Sequence, residues 1–266
     1  MTGARIPNNH PRAESLRLRE KLADSFVEGV VAVSGLIAHG RGEAFDYILG
    51  EKTSKPALRA IEAAAAALLT AESPVISVNG NTAALAAEEV VKLSDTTASK
   101  IEVNLFYRSF ERELAIKKLL EKAGAKEVLG VGKDASAKIP ELRSQRRRVD
   151  PKGILVADLV MVPLEDGDRT EALIKMGKRV IAVDLNPLSR TAQKATITIV
   201  DNIVRCAPKL IEIAEKLKGQ STEKCVRILE DFDNRENLAH SIVLMKKRLE
   251  KLAQKTCRRG RERCDH

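Results

Sequence analysis

Within Asp184-Leu-Asn-Pro-Leu-Ser-Arg-Thr191, directly after the apolar run Val180 to Val183, an acid, an amide, an arginine and two hydroxyls fall close together. An acid at the end of a strand can accept the hydroxyls of a ribose, and Arg190 with Thr191 can hold phosphate oxygens. Asp201-Asn202-Ile203 repeats the placement after the run Ala195 to Val200. Asn79-Gly-Asn-Thr82 follows Val75 to Val78 and opens a helix whose free amides suit a phosphate or carboxylate, although the same string is also an ordinary turn and cap. Asn104 and Arg108 follow Ile101 to Val103, and arginine suits bidentate phosphate binding.

Two further strings carry chemistry. In Pro163-Leu-Glu-Asp-Gly-Asp-Arg-Thr-Glu-Ala172, Asp168 with Glu171 fits a helix cap and acidic first turn, which leaves Glu165 and Asp166 for magnesium. His39 and Arg41 lie among Gly35, Gly40 and Gly42, in a stretch to Tyr47 that reads as a loop open to unusual backbone angles or close ligand approach.

The elements that position these groups are read from periodicity. A helix is expected from Ala13 to Glu28 with a stripe at Leu18, Leu22 and Phe26; Arg19 lies at its edge and so can reach a cleft. An alanine-rich helix follows from Pro56 to Ala71. Short β-branched runs then alternate with amphipathic segments, the pattern of a Rossmann-like parallel α/β sheet of at most six strands. The strands are expected at Val75–Val78, Ile101–Leu105, Glu127–Leu129, Leu159–Val162, Val180–Val183 and Ala195–Val200, with helices near Thr82–Leu93, Glu111–Ala123, Thr170–Met176 and Val204–Lys218. A last helix, Asn234 to Gln254, is capped by Asp233 with Glu236 three residues on, and its seam of Leu238, Ile242, Met245, Leu249 and Leu252 needs a cover from its own domain or a second subunit. The organisation expected is a helical segment over 1–72 with the glycine-rich loop, an α/β core over 73–220, a C-terminal helical segment over 221–254 and a disordered basic tail over 255–266.

At 266 residues and 44% apolar composition the chain is expected to be globular, and its longest nearly unbroken apolar run, Ala63 to Ala71, is too short to span a bilayer. No membrane association is expected, and the location read is cytoplasmic. Cys206, Cys225, Cys257 and Cys264 lack zinc spacing; the first two read as buried apolar residues. Gly50-Glu-Lys-Thr53 is not a P-loop, because glycine and lysine are separated and no strand leads into it. Gly130-Val-Gly132-Lys-Asp-Ala135 fits a dinucleotide fingerprint, but Asp150, twenty residues on, follows the basic run Arg143-Ser-Gln-Arg-Arg-Arg-Val149 instead of an apolar strand. That basic run reads as a solvated face or counter-charge patch. No serine elbow, H-E-x-x-H or cysteine–histidine motif offers a nucleophile, so none is assigned. A formal charge of +9 leaves a second class open, a basic α/β nucleic-acid-binding protein without catalysis that uses Arg146 to Arg148 and the terminal arginines. Seven aromatic residues and no Trp argue against single-strand stacking platforms.

His10-Pro-Arg12, Arg19-Glu-Lys21, the His39 to Tyr47 stretch, Asn79-Gly-Asn-Thr82 and the segment from Ala157 to Val204 together resemble the archaeal 4-phosphopantoate:β-alanine ligase (phosphopantothenate synthetase) family. Val162 to Ala172, Asp184 to Thr191 and Ile199 to Asn202 carry the strongest likeness, which extends to about residue 250. The resemblance implies a homodimeric, Rossmann-like enzyme of coenzyme A biosynthesis that joins 4-phosphopantoate to β-alanine, consumes ATP with magnesium and releases AMP and diphosphate. It places ATP against Arg19, Arg41, Asp184, Leu185, Asn186, Arg190, Thr191, Asn202 and Ile203. In that reading Arg19 and Arg41 act on the ATP phosphates, Asn79, Asn81 and Arg108 hold the phosphopantoate phosphate, and His39 is either a proton carrier for the β-alanine amine or a structural histidine.

Overall fold

The computed structural model describes residues 6–140 and 142–264. Three helices open the chain: α1 (Ala13–Val27), α2 (Val33–Leu49) and α3 (Lys55–Thr70). The expected glycine loop is α2 itself. Gly35, Gly40 and Gly42 all lack positive φ and continue the helix; at Gly35 the role is clearance, since a Cβ there would lie 2.2 Å from Asn81 Oδ1, whereas one on Gly40 would meet nothing within 4 Å. Gly50, in the left-handed conformation, ends α2, which explains the false P-loop as a helix C-cap. Ser54 caps α3 by accepting from the Ala57 amide, and Ala63 to Ala67 are all buried, so α3 is enclosed between the sheet and three later helices.

The core alternates strands and helices: β1 (Pro74–Val78), α4 (Gly80–Thr97), β2 (Lys100–Val103), α5 (Phe110–Lys122), β3 (Ala137–Lys138), β4 (Arg148–Val149), β5 (Leu159–Pro163), α6 (Gly167–Lys175), β6 (Arg179–Val183), α7 (Arg190–Lys194), β7 (Ile197–Ile199) and α8 (Ile203–Lys218). Five strands form one parallel sheet in the order β2-β1-β5-β6-β7, the doubly wound 2-1-3-4-5 arrangement. Nearly every strand residue is buried, as expected when helices cover both faces. The expected strand at Glu127–Leu129 is reduced to a single bridge between Leu129 and Glu102, because Gly130 turns the chain at positive φ with its Cα packed under Val103 O. Residues 130–158 instead form a cover that carries the antiparallel pair β3/β4. A single turn at Gly132–Asp134 follows Gly130, where a dinucleotide site needs a helix.

Two helices close the chain, α9 (Thr222–Glu230) and α10 (Asn234–Cys264). Asp233 caps α10 by accepting from the Glu236 amide at 2.7 Å. Leu238 and Met245 pack with Leu49, Leu185 and Val200, while Ile242, Leu249 and Leu252 stay exposed, so the chain itself covers two of the five seam residues. The helix passes the expected end at Gln254 and runs through Cys264, where a disordered tail was expected; Lys251 to Lys255 contain good helix formers and no proline. Asp265 and His266, the end of that tail, lie outside the described residues. Cys206 and Cys225 are buried free thiols.

Candidate active site

Parallel sheets leave a crevice beyond their carboxyl ends where the strand order reverses. Here the reversal falls between β1 and β5, and a cleft of about 550 Å³ opens there. Its roof is α2, contributing His39, Arg41 and Phe45; its floor is the set of loops after the strands.

The rim after β6 and β7 gathers most of the nucleotide-suited groups. Asp184 accepts from Ser189 Oγ at 2.5 Å and from the Asn186 amide at 2.9 Å, and Asn186 Oδ1 accepts from the Leu188 amide at 2.9 Å. Burial pushes the Asp184 carboxyl above its ordinary value, opposed by these bonds and by the Arg41 charge across the cleft. Ser189 caps α7, Arg190 pairs with Asp168, and Thr191 donates to Glu165 O at 2.9 Å. Asn202 caps α8 and donates to Asp46 Oδ2 at 3.1 Å, which ties this rim to α2. Arg205 reinforces that tie by pairing with Asp46 at 2.6 Å and Asp201 at 2.7 Å. Leu185 lines the cleft, whereas Ile203 is buried in the core one residue behind the wall.

The rim after β1, β2 and β5 differs from the sequence expectation. Asn79 lines the cleft, but its side chain is engaged internally: Nδ2 donates to Pro163 O and Leu164 O, and Oδ1 accepts from Thr82. Asn81 Nδ2 donates to Gly35 O at 2.8 Å and so clamps α4 to α2. What these residues offer a ligand is the N-terminus of α4, whose first amides have no partner within the helix. Arg108 is absent from the wall: buried, it pairs with Glu113 and donates to Arg148 O and Gly130 O, which fastens the 130–158 cover. Asp166, not Asp168, caps α6, accepting from the Arg169 amide at 2.9 Å. Glu165 pairs with both Arg146 and Arg169. With Glu165 held by two guanidinium groups and Asp166 by the helix cap, this pair does not fit a resident magnesium, and no cluster of three or more metal-ligating His, Cys, Asp or Glu exists among the described residues.

Arg19 also stays off the cleft wall. Its guanidinium binds Glu43 at 2.6 Å, and Glu43 Oε1 accepts from Tyr47 at 2.9 Å. Burial holds His39 below its ordinary value, the Glu43 charge opposes it, the Arg19 charge adds to it, and Asp46 opposes both. The wall also includes Phe106, Tyr107 and Arg112, which the sequence did not single out, and Arg146, to which it gave no place in the cleft. Arg146 was read as part of a solvated basic run, but its side chain is buried against Phe106, and Arg148 donates inward to Ala135 O and Gly132 O. A run of arginines flanked by glutamine and valine carries no local signal of that burial.

Fold and cleft define a doubly wound α/β protein with a polar site at the switch point, one rim suited to a nucleotide and the other to a second anion. Residues 56–248 match the phosphopantothenate/pantothenate synthetase family, and the chain belongs to it. It is 51% identical over 251 residues to the 4-phosphopantoate–beta-alanine ligase of Thermococcus onnurineus, covering 94% of this chain and 95% of that protein. The proteins of the same name from Thermococcus kodakarensis and Methanosarcina mazei are each 50% identical, covering 97% and 94% of this chain and 98% of each relative.

Proposed function

We propose that the chain is a 4-phosphopantoate–β-alanine ligase that uses ATP as co-substrate and proceeds through an acyl-adenylate. The observation that carries this reading is the division of one cleft into two rims, at the switch point of a sheet whose sequence is half identical to ligases of that name. ATP lies along the β6–β7 rim. Asp184 and Asn186 face ribose or base, Arg190 and Thr191 face phosphate oxygens, and Asn202 closes the far end. Arg41 reaches the phosphates from the roof, while Arg19, bonded to Glu43, holds α2 in place from behind. Magnesium enters as the counter-ion of the nucleotide. 4-Phosphopantoate lies along the β1–β2 rim, with an anionic group at the start of α4.

An ionised carboxylate resists an amine until one of its oxygens becomes a good leaving group. In the first step the phosphopantoate carboxylate attacks the α-phosphate of ATP and diphosphate departs. In the second, the β-alanine amine attacks the acyl carbon, AMP leaves with the bonding pair, and the amine proton passes to His39. Arg41 and Arg190 neutralise developing charge, and the facing rims hold the reactants together. Incubation with ATP, magnesium, 4-phosphopantoate and β-alanine, followed by mass spectrometry, should yield phosphopantothenate and AMP. ADP in place of AMP would reject the adenylate, and no condensation by folded, ATP-binding protein would reject the ligase. A second copy of the chain covers the apolar residues left exposed at Val33 and Ile37 on α2 and Ile242 and Leu249 on α10; light scattering at the mass of one chain would rule out that homodimer.

A further inference from the structure

We propose that Arg146, suspended over the N-terminus of α4, reads the phosphate of the acyl substrate and makes the enzyme selective for the phosphorylated acid. This inference rests on the ligase reading and replaces Arg108 in that role. Asn104, at the end of β2, donates its Nδ2 to Arg146 O at 3.1 Å, while the Arg146 guanidinium reaches Glu165 beyond the end of β5. In the sheet β1 lies between β2 and β5. The side chain therefore crosses the end of β1, where Gly80 and Asn81 begin α4.

Three observations point to an anion there. Arg146 is only 8% exposed yet lines the cleft, with its guanidinium carbon 5.8 Å from the centre of the Phe106 ring. Its Nε is buried and has no hydrogen-bond acceptor among the described residues. Its two carboxylate partners lie on one side: Glu165 is shared with Arg169, and Asp166, whose Oδ1 caps α6, brings Oδ2 to 3.2 Å from Arg146 Nη1, so neither supplies an acceptor to Nε. Arg112 on the same wall has a second buried Nε without an acceptor, its other nitrogens donating to Tyr107 O and Val30 O. A dianionic phosphate monoester supplies acceptors to such donors, and the start of a helix favours the same charge. A hydroxyl in its place leaves the buried Nε donors of Arg146 and Arg112 without an anionic acceptor, so pantoate is disfavoured.

The test compares wild type, Arg146→Met and Arg146→Lys with 4-phosphopantoate and with pantoate as acyl substrate. Arg146→Met should raise the KM for 4-phosphopantoate by roughly 100-fold, leave the KM for ATP within about threefold and erase most of the preference over pantoate. Arg146→Lys keeps the charge and should recover part of that loss. An unchanged preference in Arg146→Met, with a calorimetric melt showing a folded protein, overturns the proposal, as does a rise confined to the KM for ATP. If wild type forms no phosphopantothenate, the ligase reading fails separately. Titration with inorganic phosphate then decides the site: weaker binding in Arg146→Met supports it, and equal binding overturns it.

Discussion

The two rims of the cleft reach the same end, polar and charged groups lining one wall each, by different routes. On the β6–β7 rim the polar groups are short caps and loop residues a few positions apart in the chain: Asp184, Asn186, Ser189, Arg190 and Thr191. On the β1–β2 rim the polar side chains after the strands bind the protein itself, and the charge comes from Arg146 on a cover more than forty residues beyond β2. One rim is local and partly solvated; the other is assembled at long range around buried charge. Their responses to mutation should differ accordingly.

The largest contrast is in stability. Glu165→Ala removes the carboxylate shared by two buried guanidinium groups, Arg146 and Arg169, and should cost roughly 3–5 kcal/mol. For a chain of this size that lowers Tm by about 10 °C in scanning calorimetry. Asp168→Ala, which breaks the exposed pair with Arg190 on the other rim, should cost no more than about 1 kcal/mol. Equal losses would erase the distinction between the rims.

Next in size is a pH effect beneath the β1–β2 rim. Glu102 is buried under the cover and accepts from the Asp150 and Ile154 amides; burial pushes its carboxyl up from 4.5 to about 7. Because the folded value is raised, the contribution to stability is complete below about pH 4.5 and is lost as pH rises through 7. The loss is roughly 3 kcal/mol at most. Glu102→Gln gives up one acceptor and should be less stable at pH 5, but its stability should be flatter between pH 5 and 8 than that of wild type. A parallel pH dependence in denaturant titrations would remove Glu102 as the cause.

On the nucleotide rim, Asp184→Ala frees Ser189 and Asn186 and should weaken ATP binding by roughly 30-fold in calorimetry, with little change in 4-phosphopantoate affinity. Equal weakening of both ligands would mean that the rims are one site.

This contrast also explains what could be read from the sequence. The parallel sheet, the caps at Asn79 and Asp233, and the Asp184 to Thr191 loop follow from periodicity and turn chemistry within a few residues. The helical state of Gly35 to Tyr47 does not, because Gly35 answers a steric demand from Asn81, on a helix that begins only after the first strand. Arg108 and Arg146 reverse roles for the same reason. Both are arginines near the β1–β2 rim, and only the path of the 130–158 cover decides that Arg108 is a fastener and Arg146 faces the cleft.

The smallest effect tests whether the roof belongs to the nucleotide rim directly or through its support. The family resemblance sets Arg19 against ATP, while the structure binds it to Glu43 with nearly half of its side chain exposed. As a positioning residue it should act on α2: Arg19→Ala should change stability by no more than about 1 kcal/mol and raise the KM for ATP only a few-fold, against roughly 30-fold for Arg41→Ala. Its charge also lowers His39, so the variant should shift any His39-dependent limb of the kcat profile toward higher pH. A loss of ATP affinity as large as that of Arg41→Ala, with no movement of the pH limb, would place Arg19 on the phosphates when the nucleotide is bound and extend the β6–β7 rim across the roof to α1.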